Sequence, residues 1–105
     1  MITKMKLYDI KLLTITYEIL AQNKVTEILK KHKITGYTSY EVGGMGDEGL
    51  RGQGLPEEKN VKIEVVLTEQ SAEKIIEEIL RTLMPDYAII LYTSDVQVAR
   101  MEKFV

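Results

Sequence analysis

The chain has 105 residues, 45% of them hydrophobic, with a formal charge of −2 and a pI near 5.5. That length supports one domain, residues 1–105, with a modest core, and weak acidity without a dense Lys/Arg cluster excludes nucleic acid as a leading partner. The absence of cysteine removes disulfides, thiolate nucleophiles and zinc–sulfur sites.

Lys4, Lys6, Asp9 and Lys11 interrupt the apolar residues of the N-terminus, and nowhere do ~18 apolar residues run together, so a soluble, cytoplasmic chain is expected. Residues 11–20 (KLLTITYEIL) put Leu13, Ile15 and Tyr17 on one face at period two, which predicts a first strand. Asn23 is a suitable N-cap for a helix over 23–33, with Val25, Ile28 and Leu29 on one side and lysines toward the end that favours cations. Residues 37–42 alternate as a second strand. Residues 61–67 do so as a third, with Val61, Ile63, Val65 and Leu67 opposite Lys62 and Glu64. In 71–84 the apolar stripe Ala72, Ile75, Ile76, Ile79, Leu80 and Leu83 predicts a second helix, which Pro85 ends. The continuous apolar run 87–93 predicts a strand buried on both faces, and residues 96–105 add an edge strand or a tail.

This order is that of a ferredoxin-like βαββαβ fold (α+β), an antiparallel sheet with two helices on one face and a long loop between strands two and three. The second sheet face, which mixes Leu12, Thr14 and Thr16 with Lys62, Glu64 and Val66, is expected to meet other subunits. All seven glycines lie between residues 36 and 54, mostly in the long loop. Loops of that length are usually functional or mobile. Gly43, Gly44 and Gly46 are able to present N–H groups to an anion, with Arg51 as a charged fork; a merely flexible, solvated loop is the other reading. No dinucleotide fingerprint or Walker sequence is present.

His32, the only histidine, reads as a surface residue compensating the helix dipole, and Glu73, Glu77 and Glu78 as a solvated helix face. No catalytic pair or metal site emerges. A ferredoxin-like oligomeric enzyme acting on a small substrate is the alternative function, but it would lack a nucleophile–base pair. A CutA-type metal-tolerance trimer is another, opposed by the lack of Cys and the single His.

The segments ITGYTSYEV (34–42), Gly44-x-Gly46 and VKIEVVL (61–67) after a long loop resemble the PII signalling proteins over nearly the whole chain. GGMG, RGQGLP and PDYAIILY are similar to the PII-like branch of SbtB-type and carboxysome-associated regulators. The resemblance implies a non-enzymatic homotrimer without a catalytic cofactor. In it an adenine nucleotide (AMP, ADP, ATP or cyclic AMP) is the regulatory ligand of clefts between subunits, and the long loop docks on a membrane transporter, such as one for bicarbonate, or on an enzyme.

By the same resemblance, Gly36, Tyr37 and Thr38 match the segment that holds the nucleoside and Val66 the wall beside adenine. Gly44, Met45 and Gly46 match the backbone near the phosphates, and Arg51 a phosphate-binding arginine. Ile89 and Arg100 complete the implied nucleotide site. The implied partner-binding loop comprises Asp47, Glu48, Gly49, Leu50, Arg51, Gly52, Gln53 and Gly54. Asp47 and Glu48 stand where PII proteins usually have an Arg-Gln pair, which implies that 2-oxoglutarate is not a ligand. The loop carries no tyrosine for uridylylation. Residues 47–59 are expected to be mobile until ligand or partner orders them.

Overall fold

The computed structural model describes residues 6–46, 49–51 and 59–100. β1 (Tyr8–Glu18) runs through a single 3₁₀ turn (Ile19–Ala21) into α1 (Gln22–Lys31). β2 (Thr38–Val42) leads to two short strands, β3 (Gly44–Gly46) and β4 (Gly49–Arg51), before β5 (Asn60–Leu67). α2 (Glu69–Thr82) and β6 (Ile89–Val98) complete the order. Strands β2-β5-β1-β6 form one antiparallel sheet, and β3 and β4 pair separately. This is the predicted ferredoxin-like fold.

The sequence alternation decides which face is covered. Leu13, Ile15 and Tyr17 of β1 and Val61, Ile63, Val65 and Leu67 of β5 point one way and are buried together with Val25, Ile28, Leu29, Ala72, Ile75 and Ile79 of the two helices. The predicted apolar faces are therefore the ones in the core, except that Leu80, placed in the stripe of the second helix, is 51% exposed at its edge. Burial pushes the Tyr17 phenol up to about 12, with a smaller contribution from Tyr37. Its neutral hydroxyl donates to Gln22 Oε1, which satisfies the one polar atom of that large core side chain.

The helix ends differ from expectation in instructive ways. Asn23 is not an N-cap: the chain enters α1 from the 3₁₀ turn, Ala21 holds the cap position without a side-chain bond, and Asn23 lies in the first turn. Thr68 caps α2 instead, its Oγ1 accepting from Ser71 N at 3.2 Å, so this helix begins at Glu69, ahead of Ser71. α1 closes with Lys33 at φ 64°, where Lys33 N bonds to Lys30 O and Ile34 N to Leu29 O. This is the reciprocal pattern that usually recruits glycine, and it turns Ile34 back onto the core.

β6 corrects the reading of residues 87–93 as a strand buried on both faces. It is a ten-residue edge strand that absorbs residues up to Val98; Ile89 is buried, but Ile90 is 65% and Tyr92 46% exposed. A continuous apolar run shows only that both faces are apolar, not that the same chain covers both. The face away from the helices carries Tyr40, Lys62, Thr16 and Ile90 in one cross-strand row and Thr38, Glu64, Thr14 and Tyr92 in the next. The Lys62 ammonium lies 5.9 Å from the Tyr40 ring centroid. Tyr40 and, to a lesser extent, Tyr92 hold its pKa above the ordinary lysine value.

Replacing Ile63, fully buried on a central strand, by alanine should cost about 2–5 kcal/mol through lost burial and the cavity left behind. Urea denaturation of Ile63→Ala against wild type measures it.

Candidate functional site

The residues that the sequence marks fall into two groups, separated along the sheet. Thr38 pairs with Glu64, so Val66, two residues further along β5, stands beside the Gly36–Thr38 approach to β2 on the open face. Arg100 follows the end of β6, beyond Val98, which pairs with Tyr8. The second group occupies the opposite end. β2 finishes at Val42 opposite Asn60, Asn60 pairs with Glu18, and Ile89 pairs with the adjoining Tyr17. The ribbon of β3 and β4 springs from this end, with Gly44 opposite Arg51, Met45 opposite Leu50 and Gly46 opposite Gly49. The structure thus brings Gly44, Met45, Gly46 and Arg51 into one hairpin.

Within one chain the two groups do not meet. From Thr38 to Gly44 an extended backbone covers about 20 Å, comparable with the whole length of an adenine nucleotide. Ile89 is 7% exposed, packs on the helix face and stands at the far end from Val66 and Arg100. Its side chain belongs to the core, and what this region offers a ligand is the neighbouring turn. There Met84 N bonds to Ile79 O, Asp86 N and Tyr87 N bond to Leu83 O, and Ala88 N donates to Glu18 Oε2 at 2.7 Å. The turn before Ile89 is consequently tied to both α2 and β1.

The ribbon pairs Gly49–Arg51, inside the segment 47–59 that is expected to be mobile, with Gly44–Gly46. Gly-Met-Gly and Gly-Leu-Arg flank two residues symmetrically, the arrangement of a short hairpin, and that spacing was the available signal. Asp47, Glu48, Gly52, Gln53 and Gly54 lie outside the described residues, so the partner-binding part of the loop is described only at Gly49–Arg51. A Cβ added to Gly44 would meet no atom within 4 Å, so its backbone lies open to a ligand.

Sequence reasoning missed two charged pairs. Lys59, at the far side of the loop neck, places Nζ 3.5 Å from Glu41 Oε2. His32 is no simple surface residue either. Its Nε2 lies 2.8 Å from Glu78 Oε1, Lys31 Nζ reaches the other oxygen at 3.1 Å, and the pair joins α1 to α2. Glu78 therefore departs from the predicted solvated face. A concavity of about 530 Å³ lined by Asp9, Ile10, Lys11, Thr68, Glu69 and Asp95 contains none of the marked residues. Its lysine is engaged by both Asp95 and Glu69. Among the described residues no three His, Cys, Asp or Glu side chains are grouped to hold a metal ion, and no helix is long and apolar enough to cross a membrane.

Sheet order, the long excursion between β2 and β5 and the glycine ribbon agree with the class of signalling protein that the family comparison shows. The chain belongs to the P-II family, nitrogen regulatory protein P-II, whose family model matches residues 10–103. Among solved structures it is similar to a PII-like signaling protein from Thermus thermophilus, with 32% identity and a TM-score of 0.81 over 96% of this chain and 100% of that one. It also shares its fold with CPII from Thiomonas intermedia, a structure bound to ADP and bicarbonate, with 24% identity and a TM-score of 0.86 over 97% and 100% of the two chains. The apo form of CPII matches with a TM-score of 0.72 and 23% identity, covering 90% and 97%.

His32 and Lys31 hold the Glu78 carboxyl below its ordinary value, His32 contributing most. A carboxyl depressed in the folded state adds stability above its unfolded value, and that contribution is lost as pH falls through the folded value. Glu78→Gln should therefore destabilise the protein near neutrality and flatten the decline of its melting temperature on the acid side of pH 4.5, measured by thermal melts across pH.

Proposed function

We propose that this PII-like signalling protein binds an adenine nucleotide between the subunits of a homotrimer and uses its glycine loop to report the bound state to a partner. The observation that carries the reading is the division of the marked residues. The nucleoside-matched group (Gly36, Tyr37, Thr38, Val66, with Arg100) lies at one end of the four-stranded sheet, and the phosphate-matched group (Gly44, Met45, Gly46, Arg51, with the turn before Ile89) lies on the ribbon and turn at the other end. A cleft that uses both is completed by two copies, each contributing one end. The ADP of the ligand-bound CPII structures, seen with AMP and bicarbonate in two of them, supports the same class of ligand here.

The open face supports the assembly. Ile90, Tyr92 and the 42%-exposed Tyr40 flank Lys62 on a face that neither described helix covers, and burying such a face against identical neighbours removes apolar area from water. The nucleotide acts as a signal and is not turned over; the partner, a membrane transporter or an enzyme, reads the loop. In this reading the protein acts in the cytoplasm and reaches a membrane through the transporter.

Light scattering at micromolar concentration should report three copies, and Ile90→Glu, which puts a charge into that face, should dissociate them while leaving the helix-side core intact. A monomeric wild type would remove the cleft. Titration calorimetry should show binding of one or more of AMP, ADP, ATP and cyclic AMP and none of 2-oxoglutarate, a dianion repelled by Asp47 and Glu48. Tight 2-oxoglutarate binding, or no nucleotide binding, would contradict the reading.

A further inference from the structure

The loop between β2 and β5 has a neck, and the neck is charged. Glu41 pairs with Val61 and Val42 with Asn60, so the next step outward sets Gly43 across from Lys59. Lys59 is anchored by its backbone, whose carbonyl accepts from Ile19 N at 2.9 Å, and its Nζ crosses to Glu41 Oε2 at 3.5 Å. The other described ion pairs join helix to helix, helix to strand, β1 to β6, or one turn of α2; Lys59–Glu41 alone among them ties the two strands that frame the loop. Three residues beyond Glu41 lies Gly44, with open space over its Cα and the backbone of Arg51 directly opposite.

We propose that Lys59 is a phosphate-binding residue of the nucleotide site and that Glu41 is its built-in competitor. In the free protein Glu41 holds the ammonium at the neck. A phosphate arriving over the Gly44 backbone carries more charge and several acceptor oxygens, and it takes the ammonium over. The exchange is easy because both side chains are largely exposed, at 43% and 65%, and an exposed pair of this kind is worth little. Its consequence is local to the output device: binding removes the charge pair that ties β2 to β5 where the loop begins, so the framing strands sense whether an anion is present.

The inference rests on the nucleotide reading, and one experiment separates the two. ADP and adenosine are titrated calorimetrically into wild type, Lys59→Ala, Glu41→Gln and the double variant, with thermal melts confirming that each folds. Lys59→Ala should weaken ADP about 5–10-fold, the value of one charge-assisted contact less that of the exposed Glu41 pair given up to make it, and leave adenosine unchanged. Glu41→Gln should tighten ADP about 2–5-fold by removing the competitor, and that gain should vanish when Lys59 is already alanine. Unchanged ADP affinity in Lys59→Ala, or an equal gain from Glu41→Gln in both backgrounds, overturns the exchange while nucleotide binding stands. Absence of any ADP binding to wild type overturns both.

Discussion

The antiparallel register of β1 against β5 is the constraint from which the other features follow. With Leu13 opposite Val65, Ile15 opposite Ile63 and Tyr17 opposite Val61, the two central strands present one continuous apolar surface, and the two amphipathic helices have only that surface to cover. A slip of one residue would turn Lys62 and Glu64 into the core and Ile63 and Val65 out of it. The register also sets where β5 starts and β1 ends, so that Asn60, Glu18 and the turn before Ile89 meet at one end. The ribbon Gly44–Arg51 has to leave the sheet there, while Gly36–Thr38 and Val66 are held away from it.

That separation connects fold to function. A sheet with its helices on one side leaves the other side for something else, and here that side carries apolar and aromatic side chains around Lys62 with neither described helix over them. Packing copies against this face solves the burial problem and, in the proposed assembly, closes the distance between the two groups of ligand-matched residues. Assembly and binding would then be one event in structural terms, and the loop neck, where Glu41 meets Lys59, sits beside the half of the site that takes charge.

Much of this architecture was legible in the residues. The period-two faces of residues 11–17 and 61–67 and the apolar sides of 23–33 and 71–84 named nearly every core side chain, because burial on one face leaves a periodic trace. Boundaries were less legible where tertiary context decides them: Asn23 has the chemistry of a cap, but a 3₁₀ turn leads straight into the helix, and Thr68 takes that role for α2. The run 87–93 misled because it records two apolar faces without saying what covers the second. For the candidate site, the glycines and Arg51 were visible from composition and resemblance, and their mutual placement in a hairpin was not. Lys59 and His32 were invisible as functional partners since each meets its carboxylate across a long stretch of sequence, Glu41 and Glu78 respectively.

The central claim is that one adenine nucleotide is gripped by opposite ends of two neighbouring sheets, and a crystal structure of the protein with ADP tests it most directly. The account predicts three copies around a common axis, with the nucleoside against Gly36–Thr38 and Val66 of one copy and the phosphates over the Gly44–Gly46 backbone of the next. ADP bound wholly within a single copy, or at the concavity lined by Lys11 and Glu69, would contradict it.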